Sequence, residues 1–391
     1  MIDSERIRKN LEMISFPRLA GTKYEQKASQ LIKDEIEKLE LSPESQTFIF
    51  STFYPRIYKK IAVSSISWLL IVFFIYINII FVLINILVLG ILFIPLIIIT
   101  RHPEDIRVGK TFESENIYVK IDAKNQSTQE TIDNKYHFLL LCHKDSKSQR
   151  LTITFRSINI RIWVYSLIIS AISLILKYFF LSNIFFNIFV ACVIIINCIN
   201  TILIIINTTG NKSPGAIDNG SGVAIVLELL THFSEMKNKL NNIDLWFIFT
   251  GAEENGTMGI RYLYKEIIKQ ITHQDLRYLN FDSLGSHLDI FAVKNKVEDA
   301  HLFKLIVELS KKLNPTYHIK YYIFPVTRSD GYYLKNEDHK GLGFADKKVY
   351  KYIHSPQDTV DKVDPDFLEG FCEVIVKLLK EYDNSINKNR N

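Results

Sequence analysis

Two stretches of this chain leave few folds open. Ile61 to Thr100 contains no Asp, Glu, Lys, Arg or His, and Ile162 to Asn211 contains one such residue, Lys177. A helix crosses a bilayer with about 20 apolar residues. Each stretch therefore has the length of two crossings folded as a hairpin, with spans near 61–79 and 81–100, then 162–180 and 184–207. A globular core helix has no need of a charge-free run of about forty residues.

The flanks give an orientation. Arg56, Lys59 and Lys60 precede the first stretch, and Arg101 and Arg107 follow it. Arg150, Arg156 and Arg161 precede the second, and Lys212 follows it. Positive flanks stay on the cytoplasmic side, and the opening MIDSERIRKNLEMISF is polar and amphipathic, unlike a signal peptide. The expectation is a multi-pass integral membrane protein with the lipid bilayer as partner. An even number of crossings leaves 1–57, 103–158 and 210–391 on one side, able to form one cytoplasmic domain around hairpins 61–100 and 162–207. Asn78, Asn85, Asn187, Asn197 and Asn200 are expected to hydrogen-bond between the spans. One lysine and no acid within them argues against an ion-coupled carrier. A net charge of +5 marks no nucleic-acid binder, and the 4 cysteines have neither zinc-finger nor disulfide spacing.

Outside the hairpins the pattern is α/β. Residues 4–40 repeat apolar positions at helical spacing, 45–54 read as a strand, and 115–121 and 135–146 read as two more. The latter is almost wholly apolar, as a strand covered on both faces should be. A turn-rich loop, SPGAIDNGSG (213–222), precedes a helix to about 238. Strand LWFIFT leads to a turn and a helix near 256–271. Strands follow at 276–286, in LDIFAV and in YHIKYYIFPV, with a helix at 299–313 between the last two. Residues 327–340 read as a polar loop that helps shape a specificity pocket. GLGFADK is a short strand, and a helix from 365 to 383 closes the chain. Strands alternating with helices imply a mostly parallel mixed sheet with helices on both faces.

Glu253 and Glu254 stand side by side after the LWFIFT strand. Adjacent carboxylates repel unless a cation compensates them, so a divalent metal is one reading. A solvated helix N-terminus is the other. His143, Asp218, Asp282 and His354 also lie at strand ends or in the loops after them, where ligands bind in open α/β sheets. With Glu254 they make two imidazoles and three carboxylates, a set suited to zinc or a similar cation. That is too many for one catalytic zinc and enough for two if one carboxylate bridges.

The motifs resemble, in order, those of the co-catalytic di-zinc peptidase family that includes leucyl aminopeptidases, glutamate carboxypeptidases and glutaminyl cyclases. CHKDS resembles its His-x-Asp, GAIDNGSG its Gly-Ala-x-Asp-Asn-x-Ser-Gly, and FTGAEENGTMG its Gly-Ala-Glu-Glu turn. NFDSLGS resembles its Asn-x-Asp, and HSPQDTVDKVD its His-x-x-x-Asp-Thr. The resemblance implies a zinc-exopeptidase fold and two Zn2+ per chain. It implies that His143, Glu254, Asp282 and His354 bind metal, that Asp218 bridges, that Asp145 orients His143, and that Glu253 is the general base. Asp358 and Thr359 are read as structural. The remaining histidines match no motif.

The chain departs from the family at three points. Ile353 stands where an aromatic often precedes the last histidine, with Tyr352 a step earlier. Ser329-Asp330-Gly331 replaces Ser-Asp-His. The second hairpin interrupts the loop between the His-x-Asp segment and Asp218, which implies an active-site rim near the membrane face. The leading expectation is a membrane-anchored aminopeptidase acting on peptides. A non-catalytic scaffold or receptor, and a glutaminyl-cyclase-like acyl transferase with one metal, stay open, as does the oligomeric state.

Overall fold

The chain passes four times between two units, residues 1–49, 112–148 and 211–391 forming one and residues 50–111 and 149–210 the other. The computed structural model describes every residue except 77, 125–135, 180–182, 272–275, 293–299, 314–317, 322–328 and 391.

Strands and helices are numbered in chain order. The first unit is built on a sheet of β1 (Glu44–Ser51), β2 (Thr111–Ile121), β3 (Tyr136–His143), β6 (Ile243–Thr250), β7 (Leu276–Phe281), β8 (Asp289–Ala292), β9 (His318–Tyr321) and β10 (Lys340–Ala345). Their order across it is β1-β2-β6-β3-β7-β10-β8-β9, and the short β4 (Ser148–Gln149) and β5 (Thr209–Gly210) pair apart from it. Strand β3 runs parallel to β6 and β7, and β10 parallel to β7. The pairs β2–β6 and β8–β10 are antiparallel. The central four strands therefore end at one edge, with His143 in register with Thr250 and Phe344 with Phe281.

The apolar run in β3 has the cause expected of it. Leu139 and Leu141 pack with Ile260, Leu263 and Tyr264 of α8 (Met258–Glu266) and with Tyr333 and Leu334 of α10 (Asp330–Asn336). On the opposite face Phe138 meets the ring of Tyr382 in α11 (Pro365–Arg390), 5.1 Å between centroids. Helix α7 (Ser221–Ser234) packs on β3, β6 and β7. It also takes the Ile7, Leu11 and Ile14 stripe of α1 (Ser4–Ile14), a helix capped by Asp3. Helices α2 (Lys23–Glu37) and α9 (Ala300–Leu313) complete this unit.

Several boundaries differ from the sequence reading. Residues 330–336 are helical, because Ser329 caps them by accepting from the Tyr332 N–H. Helix α11 continues to Arg390. Of the strand expected in YHIKYYIFPV, His318–Tyr321 is described, while 322–328 lie outside the described residues.

The second unit holds α3 (Lys59–Ile75), α4 (Ile79–Ile99), α5 (Ile153–Phe179) and α6 (Ile184–Ile206). With the wide, π-helical segment Phe53–Tyr58 joined to α3, all four are long and apolar enough to cross a membrane. Helix α5 starts nine residues before the expected 162 and carries Arg156 and Arg161 within it. Helices α4 and α6 open on Asn78 and Asn183, whose side chains accept the Phe81 and Phe186 N–H. That corrects the role expected of Asn78. Asn85 accepts from Trp68 Nε1 of α3 at 3.0 Å, and Asn197 Oδ1 lies 2.6 Å from Ser67 Oγ, so these two do bond between helices. The Asn200 amide instead donates to Ile196 O in its own helix, and Asn187 Oδ1 accepts no bond from the described residues. Lys177 donates to Phe74 O at 3.0 Å and lies 4.2 Å over its ring, closing the end of α3.

Candidate metal centre

The carboxyl edge of the four parallel strands gathers the residues singled out above. His143 is the last residue of β3, and Glu253 and Glu254 follow β6 after Gly251-Ala252. Asp282 follows β7, His354 lies in the segment after β10, and Asp218 lies in the loop before α7. Glycine is required at 251, because a Cβ there would sit 2.2 Å from Ser114 Oγ and 2.5 Å from Glu115 O. Ala252, Ser283 and His354 all have positive φ, at 51°, 62° and 60°. Left-handed backbone is unfavourable for such residues and clusters where function dictates geometry.

Two groups of ligand atoms form, each within 4.8 Å: His143, Asp218 and Asp282, and Asp218, Glu254 and His354. Asp218 belongs to both. Its Oδ1 lies 3.1 Å from His143 Nε2, and its Oδ2 lies 3.0 Å from His354 Nε2. His354 Nε2 is also 2.9 Å from Glu254 Oε1, and His143 Nε2 is 3.7 Å from Asp282 Oδ1. Glu254 Oε1 is buried yet accepts no aligned hydrogen bond from the described residues. Two imidazoles and three carboxylates converging on so small a space are what a cation needs, so this donor set fits zinc or another borderline divalent ion.

Hydrogen bonds from distant positions hold these loops. The Asp145 carboxylate accepts the backbone N–H of Glu253 at 3.0 Å and of Glu254 at 3.1 Å. His143 Nδ1 lies 3.1 Å from the Asp145 backbone oxygen and 3.6 Å from its carboxylate. Asp145 thus holds the acid pair as well as facing the ring. Asn219 donates to Phe281 O and accepts from the Gly222 N–H, tying the Asp218 loop to the end of β7. Asp358 accepts from the Ile217 N–H at 2.6 Å, which joins that loop to the His354 segment.

Sequence reasoning missed Arg18. It is fully buried, and its guanidinium donates to the carbonyls of Phe16, Lys144, Pro214 and Gly215 at 2.6–3.1 Å. Lys144 adjoins His143, while Pro214 and Gly215 lead to Asp218. One side chain therefore fixes both ends of the loop that the second apolar hairpin interrupts. The Lys212 N–H also donates to Ser148 Oγ at 3.0 Å, closing the loop again. Arg18 lies in the non-periodic stretch FPRLAG between two helices, and that was its only sequence signal. Gly331, where a histidine was noted as lacking, packs on Asn280 and Tyr278. A Cβ there would be 2.8 Å from Asn280 Cβ, so the position is closed to side chains. Tyr352, near the missing aromatic, has its ring under Lys351 and Lys362.

Charge separates the acid pair. Burial drives the Glu253 carboxyl well above the ordinary range, and the charges of Glu254 and Asp330 add to this. For Glu254 burial acts the same way, but His354 and Lys147 outweigh it and bring the group down to about 2. One acid thus favours holding a proton and its neighbour the ionised form.

The fold has known counterparts. An aminopeptidase from Aneurinibacillus sp. strain AM-1 superposes with a TM-score of 0.58 at 16% identity, over 97% of this chain and 93% of that one. A glutaminyl cyclase of Fimbriiglobus ruber gives a TM-score of 0.54 at 13% identity, over 97% and 95%. The fold is thus the aminopeptidase-like α/β fold of the zinc exopeptidases. Residues 202–379 match the sequence model of Peptidase family M28. A probable leucine aminopeptidase of Arthroderma benhamiae is 27% identical over 199 residues, which is 46% of this chain and 50% of that protein. A vacuolar membrane protease of Candida glabrata is 29% identical over 154 residues, 38% of this chain and 15% of that protein. The matches span at most about half the length of these curated relatives. They bear out the resemblance: over 202–379, which holds four of the five motifs, the chain is similar to Peptidase family M28, and its fold is shared with aminopeptidases and a glutaminyl cyclase.

Proposed function

We propose that the protein is a membrane-anchored, zinc-dependent exopeptidase, specifically an aminopeptidase, with its catalytic unit on the cytoplasmic side. The observation that carries this reading is Asp218, whose two oxygens face His143 and His354 separately, as a carboxylate shared by two cations would. His143, Asp218 and Asp282 would hold one zinc, and Asp218, Glu254 and His354 the other. When bound, the metals supply Lewis acidity for water and for the scissile carbonyl. Bound cations would oppose the burial and neighbouring acids that favour a proton on Glu253, leaving it ionised beside these ligands to take the proton from the attacking water and pass it to the leaving amine. Asp145 holds Glu253 and Glu254 through their backbone N–H groups, so the base and its neighbouring ligand keep a fixed spacing. The four apolar helices would anchor this unit at the bilayer.

Metal analysis of the purified full chain, with a panel of fluorogenic aminoacyl substrates, tests the reading. The expected result is two zinc ions per chain and release of free N-terminal residues, with both zinc content and turnover lost in Glu254→Ala. Metal-free protein with no hydrolysis overturns it. One ion per chain with cyclisation of N-terminal glutamine would instead make the protein a cyclase.

A further inference from the structure

The two ligand groups are alike in composition and unlike in surroundings. Each has one imidazole and two carboxylates, with Asp218 common to both. Among the described residues, the ion pairs at His143, Asp218 and Asp282 involve no lysine or arginine. The other group has one. Lys147 Nζ bonds Glu254 Oε2, with 15% of the lysine side chain and 6% of the glutamate exposed. Lys147 follows β3 by four residues, on the segment that also presents His143 and Asp145. The Asp145 carboxylate fixes the Glu254 backbone N–H, so the glutamate and Lys147 start from the same anchored segment.

Glu254 is left with one oxygen, Oε1, on the side of His354. The other is committed to an ammonium, whose charge opposes any cation arriving beside it in a site of low water content. Losing an outer partner that orients a ligand typically costs about 10- to 100-fold in metal affinity; an ammonium that occupies one ligand oxygen and repels the cation works in the opposite direction. We propose that the two cation positions differ in affinity and that Lys147 causes the difference. The position formed by Asp218, Glu254 and His354 is the weak, exchangeable one, and the position formed by His143, Asp218 and Asp282 fills first. Enzyme with both positions filled then exists only above a threshold of free metal, so Lys147 makes activity responsive to metal supply. This inference rests on the two-metal reading above.

The test is calorimetric titration of zinc into metal-free full-length protein in detergent, read as binding and not as turnover. Wild type should bind in two steps, the second weaker by about tenfold or more. His354→Ala should lose the weak step alone. Lys147→Met and Lys147→Gln should tighten the weak step by about tenfold and leave the strong one in place. Lys147→Arg, which keeps the charge, should behave as wild type. Two equal steps in wild type overturn the inference without using any Lys147 variant. So does a weak step that stays within about twofold in Lys147→Met or Lys147→Gln. Zinc binding to none of these proteins would sink the two-metal reading itself, a different outcome.

Discussion

The two units bury polar groups in opposite ways. In the sheet-based unit the buried groups include full charges: Asp145, Asp218, Lys144 and Arg18 are all at most 5% exposed. Within the four apolar helices of the other unit the buried polar groups described are neutral. Ser67, Asn197, Thr201, Trp163 and Ser166 form one network, with Ser67 Oγ 2.6 Å from Thr201 Oγ1 and Trp163 Nε1 donating to Thr201 Oγ1 at 2.8 Å. Lipid offers no compensation for an ion, so helices long and apolar enough to cross a membrane are suited to locking together with amides and hydroxyls, as these do. The sheet edge can tolerate clustered acids because cations and backbone N–H groups neutralise them.

Removing charge from the first unit should therefore cost far more than removing a hydrogen bond from the second. The largest effect belongs to Glu253→Gln, which keeps shape and burial but cannot accept a proton. Turnover of an aminoacyl substrate should fall by about 10²- to 10⁴-fold with zinc content unchanged. Retained turnover would move Glu253 out of the mechanism and leave the acid pair a packing device. Next is Arg18→Met, which strands four buried carbonyls and should lower stability by about 3–5 kcal/mol, read by denaturant titration. Zinc affinity should weaken in parallel, since the His143 and Asp218 loops lose their common anchor. Asn197→Val should cost about 0.6–1.7 kcal/mol in an unfolding assay in micelles. A cost as large as that of Arg18→Met would erase the contrast between the units.

Much of the candidate site was legible in the sequence, because each ligand follows a strand or precedes a helix in a short local motif. CHKDS and NFDSLGS lie at the ends of apolar runs that only a doubly covered strand explains. The apolar helices were legible for the same reason, although the start of α5 was not. Arg156 and Arg161 looked like a flank, yet a helix carries polar residues for more than two turns before entering its apolar run. Arg18 and Lys147 stayed hidden. Arg18 gains its role from carbonyls 126 and 197 positions away, and Lys147 from a carboxylate 107 away. No local pattern encodes such partners.

Local chemistry by itself determined the α/β pattern, the four apolar helices and the identity of the candidate ligands, since period, composition and strand-end motifs are properties of short segments. Only the assembled sheet decided that Asp218 faces two histidines at once, that Asp145 holds the acid pair by its backbone, and that one ligand group has a lysine beside it. Those facts depend on parallel strands ending at one edge, where residues remote in the chain come within hydrogen-bond distance of each other.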